Sequence, residues 1–212
     1  MAIPVLVLGQ SGTGKSYSMK NFDESELCLI SVQKPLLPFR KKFEETVVTD
    51  KYAEIIKAMQ STKKKVIVID DTQYLMCNEF MRRATEKGYD KFTQFAVDFQ
   101  QLLNTIINGT SNDTIVYLLH HTETDDAGHV KAKTIGKMLD QQLTVEGLFS
   151  VVLLAKTDGE KYTFITNGFP PAKSPLDMFT EKEIENDLRA VDTAIREYWE
   201  LKPLGAEKDG AK

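Results

Sequence analysis

The segment Gly9-Gln10-Ser11-Gly12-Thr13-Gly14-Lys15-Ser16 fits the pattern G-x-x-x-x-G-K-[ST] in full, and nothing else constrains the fold as tightly. Glycines let such a loop turn several backbone N–H groups toward one anion, and a helix start adds its dipole. The pattern needs a strand before it and a helix after it. Both are expected here. Ala2 to Leu8 is apolar on both faces, as in a buried parallel strand, and Lys15 to about Asn21 reads as a short helix. Gly9 through Ser16, with Tyr17 next to them, are therefore the candidate nucleotide-binding residues. Lys15 is expected to reach the β- and γ-phosphates of ATP, and the Ser16 hydroxyl to bind Mg²⁺.

A second run, Val66-Ile67-Val68-Ile69-Asp70-Asp71, has four apolar residues closed by an acid pair, the Walker B pattern. An aspartate at the end of a parallel strand beside the phosphate loop can hold Mg²⁺ through water, and Asp70 is the choice for that role. Asp71 is the candidate base that orients the attacking water. Its alternative is to cap the helix expected from Thr72, since helix N-caps favour Asp. Between the two motifs lies room for a further strand, Leu27 to Val32. That spacing suits RecA-type and AAA-type ATPases better than small nucleotide kinases.

Thr114 to Leu119 reads as another all-apolar strand, closed by His120-His121. A polar residue there can sense a γ-phosphate. Neighbouring strand residues point to opposite faces, so one histidine alone can do so, and His120 is preferred. Ser150 to Lys156 and Lys161 to Asn167 read as a hairpin around Asp158-Gly159. Lys156, with Lys161 as the other candidate, could supply a cation to a neighbouring subunit's γ-phosphate, as an arginine finger does. Thr180 with Glu183 forms a capping box, from which a final amphipathic helix is expected to run to about Leu201.

At 212 residues, 42% of them hydrophobic, the chain suits a single domain, expected over 1–203, with a disordered tail from 204 to 212. Its net charge of -4 gives no global attraction to nucleic acid or an anionic membrane. Any polyanion site must come from local clusters. Two exist: Arg82, Arg83, Lys87 and Lys91 follow one core strand, and Lys131, Lys133 and Lys137, beside His129, follow the next. Both are expected at the same sheet edge, where they could meet a phosphate backbone. Solvated surface charge is the plainer reading of either run. Cys28, Cys77 and the three histidines lack metal-ligand spacing, so structural zinc is not expected. No apolar run is long enough to cross a bilayer, and the N-terminus lacks a basic n-region, so no membrane partner and a reducing, cytoplasmic location are expected.

Gly9 to Ser16, Val66 to Asp71, Leu118-Leu119-His120-His121, the hairpin Val151 to Thr166, and Gly168 to Phe179 with Asn186-Asp187-Leu188 follow in this order and carry a resemblance that covers most of the chain. In these the sequence resembles the small phage-encoded ATPases with a RecA-like core, which include Sak-type single-strand annealing proteins. The resemblance implies an α/β fold with a RecA-like P-loop core. Its mostly parallel sheet would be flanked by helices and completed by a C-terminal hairpin and helix. It also implies ATP and Mg²⁺ as cofactors, ATP hydrolysis, and single-stranded DNA as partner in phage recombination or annealing. Rings or filaments of this chain would carry ATP at subunit interfaces, and a single-strand DNA-binding protein is a further candidate partner. One departure stands out. RecA carries its catalytic glutamate just after the second core strand, where this chain reads Ser31-Val32-Gln33-Lys34. The competing readings are an ATPase that loads or remodels a protein partner, and a small-molecule kinase, for which no arginine-rich lid is found.

Overall fold

Apolar runs without alternation become inner strands of a parallel sheet covered on both faces. The computed structural model describes residues 2–33, 36–88, 90–135 and 144–205. In chain order the strands are β1 (Ile3–Gly9), β2 (Leu27–Ser31), β3 (Glu45–Val48), β4 (Val66–Asp70), β5 (Ile115–Thr124), β6 (Val130–Ala132), β7 (Val151–Thr157), β8 (Tyr162–Ile165) and β9 (Glu183–Glu185). The α-helices are α1 (Tyr52–Ser61), α2 (Gln73–Arg82), α3 (Asp90–Gly109) and α4 (Leu188–Tyr198). The sheet order is β3-β2-β4-β5-β1-β7-β8-β9, parallel from β3 to β7 and antiparallel beyond, with β6 paired to the far end of β5. A mixed α/β fold with a mostly parallel central sheet is thus in place.

The sheet's side chains alternate between two cores. Leu6, Leu8, Ile67, Ile69, Val116 and Leu118 face α1, α2 and α3, where they meet Ile55, Met76, Phe99 and Ile106. Val5, Val7, Val66, Val68, Tyr117 and Leu119 face Met19, Phe22 and the α4 residues Val191 and Ile195. Pro4, which lacks an N–H, is tolerated in this inner strand because pairing with β7 begins only at Val5.

Several elements differ from expectation. The helix after the phosphate loop is a six-residue 3-10 turn, Ser16–Asn21. β5 does not stop at the histidines but runs on to Thr124 and folds back through Gly128 into β6. The expected capping box does not form. Glu183 is taken into β9, and α4 opens at Asp187, whose carboxylate accepts from the N–H groups of Arg189 and Ala190. An aspartate with extended backbone at the cap outcompetes a threonine whose neighbours pair with β8. Leu204 still packs on the core beyond the expected domain end, and 206–212 lie outside the described residues. Among the described residues, no helix is long and apolar enough to cross a membrane.

At the N-terminal end of the sheet, a buried ion pair fastens α4. Arg196 Nε donates to Asp192 at 2.5 Å, and its other nitrogens donate to the carbonyls of Lys65, Asp113 and Lys202. Tyr117 donates its hydroxyl to the other Asp192 oxygen at 3.2 Å.

Candidate functional site

Strand register brings the motifs together. Gly9 of β1 lies opposite His121 of β5, while Ile69 of β4 lies opposite Leu118 and Ser31 of β2 opposite Asp70. The phosphate loop, the acid pair and the histidines therefore share the C-terminal edge of the parallel strands, where ligands bind in open α/β sheets.

Within the loop, Gly12 and Gly14 take φ of 83° and 86°, a region that side chains disfavour. A Cβ on Gly14 would also come within 2.7 Å of the Tyr162 ring. The loop closes around Lys15, which is 6% exposed and donates to the carbonyls of Gly9 at 2.8 Å and Gln10 at 2.9 Å. Burial brings this ammonium down to about 8, against the pull of the Asp71 and Asp70 carboxylates. The charge is held in place but under-compensated, the condition in which an arriving phosphate gains most.

Ser16 donates its hydroxyl to Asp70 at 3.0 Å, so the two residues assigned to Mg²⁺ stand side by side. Burial, with Asp71 next to it, lifts Asp70 to about 6. Among the described residues no cluster of three or more His, Cys, Asp or Glu could hold an ion alone. The Ser16 hydroxyl and the Asp70 carboxylate are the kind of hard oxygen donors that Mg²⁺ takes one or two at a time, with phosphate and water completing its shell.

Asp71 has φ of 64°, uncommon for a residue with a side chain. It does not cap α2, whose N-cap is Thr72 with no side-chain cap bond. Instead its carboxylate lies 3.3 Å from His121 Nε2, while His121 Nδ1 lies 3.5 Å from Lys15 Nζ. An ammonium only donates, so Nδ1 is the acceptor and the ring proton sits on Nε2, pointing to Asp71. A cavity of about 760 Å³ is lined by the loop together with Asp71, Tyr74, His121, Gln33 and Tyr162. Asp71 is the one carboxylate among those lining residues, and Gln33, just after β2, lines the cavity with an uncharged amide.

The histidine preference needs correction: His121, not His120, faces the cavity. His120 shares the parity of Val116 and Leu118, so it turns into the core against Phe99. It is fully buried, donating to the Lys133 carbonyl at 2.8 Å and accepting from the Thr72 hydroxyl at 2.8 Å. Burial holds it down to about 4. A base depressed in the fold stabilises it above the unfolded pKa of about 6.5, and that share is lost as pH falls toward 4. Asp70, raised in the fold, works the other way, favouring the fold as pH drops through 6. The two offset each other in the natural chain. His120→Gln removes one side, so its stability relative to the natural protein should improve by about 2 kcal/mol between pH 7 and pH 4.5 in urea denaturation.

Most of the basic clusters prove to be committed elsewhere. Arg82 pairs with Asp50 at 2.5 Å and Glu79 at 2.6 Å, and Arg83 pairs with Glu86 at 2.8 Å. Lys91 is buried, donating to the carbonyls of Arg83 and Glu86 near the end of α2. Lys131 pairs with Glu123 at 3.0 Å. Lys87 and Lys133 are exposed, and Lys137 lies outside the described residues. Lys156 and Lys161 are exposed near the β7–β8 turn. Sequence reasoning missed Tyr74, Gln33 and Tyr162, which enter the cavity from separate elements. Comparison with protein-family models gives no match for this chain, and comparison with curated proteins finds no significant relative.

Proposed function

We propose that the chain is a Mg²⁺-dependent ATPase with a RecA-like core, acting on single-stranded DNA in phage recombination or annealing as a homo-oligomer. The observation that carries the ATPase reading is the convergence of Lys15, Ser16, Asp70, Asp71 and His121 on one strand edge. Lys15 and the loop amides bind and orient the β- and γ-phosphates. Ser16 and Asp70 hold Mg²⁺, which when bound neutralises charge on the phosphate oxygens. Asp71 accepts a proton from the attacking water at its carboxylate, and His121 holds that carboxylate in line. Exposed Lys156 is the candidate cation for a neighbouring copy's site.

Support for DNA is thinner and rests on the sequence resemblance and on exposed Lys87 and Lys133. The pairing of Arg82, Arg83 and Lys131 with carboxylates favours a second reading, an ATPase that loads or remodels a protein partner.

One experiment decides between them: ATP turnover and single-strand DNA binding, each measured with and without the other ligand. DNA-stimulated turnover with ATP-dependent DNA binding is expected. Turnover indifferent to DNA shifts the function to the second reading, and no turnover at all removes both. In the same assay Asp71→Asn should lower turnover about 100-fold or more while ATP binding is kept. Unchanged turnover would clear Asp71 of the base role.

A further inference from the structure

Beyond the phosphate loop the cavity is walled by aromatic rings. Tyr17 and Tyr162 line it with ring centroids 5.9 Å apart, and Phe39 adjoins Tyr17 at 6.4 Å. Lys20 sits 4.2 Å from the Tyr17 centroid and bonds its hydroxyl, which fixes that ring. Tyr162 packs on Gly14, so the aromatic wall is continuous with the phosphate loop.

At the same corner lies an unexplained amide. Asn186 is 6% exposed, and neither its Oδ1 nor its Nδ2 has a hydrogen-bond partner. It precedes Asp187, which does the capping of α4, so the helix start does not account for it. Its backbone N–H donates to the Tyr162 carbonyl at 3.2 Å, and its Oδ1 would sit 3.3 Å from a Cβ on Gly14. A buried amide with both groups unpaired weakens a fold unless something else engages it.

We infer that this corner is the nucleobase subsite, where adenine stacks on Tyr17 and Tyr162 and the Asn186 amide reads its edge. The inference rests on the phosphate-loop reading, since it places the base beyond the same triphosphate. An asparagine amide offers a donor beside an acceptor, which matches the adenine amino group and the adjacent ring nitrogen. On the corresponding O6/N7 edge guanine presents two acceptors, which suit Arg or Lys. Among the described residues lining the cavity the only such cation is Lys15, already held by two carbonyls. Tyr162 is 40% exposed, so its ring can swing from Gly14 onto the base and uncover the amide.

Calorimetric titration with Mg²⁺ and ATP, GTP or inorganic tripolyphosphate tests this on the natural chain, Lys15→Ala, Asn186→Leu and Tyr162→Leu. The natural chain should bind ATP about tenfold or more tighter than tripolyphosphate or GTP. Asn186→Leu and Tyr162→Leu should each bring ATP down toward tripolyphosphate, whose own affinity stays put. Lys15→Ala should lose both. The ATP-to-tripolyphosphate ratio is read within one variant, so partial unfolding does not distort it. Because Leu removes an unpaired amide, Asn186→Leu should also melt no lower than the natural protein. Equal affinity for ATP and tripolyphosphate overturns the subsite and leaves the phosphate loop standing. Equal ATP and GTP overturns the adenine assignment. An unchanged ratio in Asn186→Leu, whatever its melting point, makes the amide a structural group. Failure of every ligand to bind overturns the phosphate-loop reading and this one with it.

Discussion

Lys15→Met is expected to weaken nucleoside triphosphate binding by about 30- to 5000-fold while leaving the protein folded. The binding loss follows from removing one member of a buried, hydrogen-bonded charge pair, which costs about 2–5 kcal/mol. Folding survives for a separate reason. Burial already disfavours the Lys15 charge, bringing it to about 8, so an apolar chain of similar length relieves a desolvation cost. The carbonyls of Gly9 and Gln10 lose a donor, but Gln10 is exposed and can turn to water. Titration calorimetry beside a thermal melt separates the two effects. Affinity within threefold of the natural chain would remove Lys15 from the phosphate site. A collapsed melt would make the lysine a folding element instead.

Arg196→Met carries the largest expected stability effect, a loss of about 3–5 kcal/mol. The guanidinium is 3% exposed and its partner Asp192 is fully buried, so the variant strands a carboxylate and the carbonyls of Lys65, Asp113 and Lys202 in the interior. Burial raises the Asp192 carboxyl even with Arg196 beside it. Removing the charge as well, in Arg196→Met with Asp192→Leu, should recover part of the loss, because an apolar pair leaves no orphaned ion. Urea midpoints of the single and double variants give the comparison. A single variant within 1 kcal/mol of the natural protein would mean that the pair stabilises nothing net.

The features legible in the sequence were those whose determinants are contiguous. Gly9 to Ser16 and Val66 to Asp71 each carry their strand, turn and reactive side chains within a few residues, and they meet where expected. What the sequence could not show depended on partners far along the chain. Whether His120 or His121 faced the cavity hinged on the phase of β5 relative to β1, which register alone decides. Arg82 read as a free cation because Asp50, 32 residues away, comes beside it only through packing. Lys91 read as surface charge although it folds back onto carbonyls near the end of α2. Tyr162 and Asn186 reach the phosphate loop only because β8 and β9 add to the sheet beyond β7. The capping box at Thr180 matched a valid local pattern, but the competing strand pairing of Glu183 to Glu185 took its residues.

The Arg196 clamp has a further meaning for how this chain can change. Its anchor at Lys65 and the Asp70 carboxylate lie at opposite ends of the single strand β4. Five residues of extended chain separate them by about 17 Å, beyond the range of about 10 Å within which substitutions usually couple. Substitutions at one end should therefore add to those at the other without interaction. A change at the edge that carries Lys15 and Asp70 should leave the Arg196 clamp, and its share of the stability, as it was.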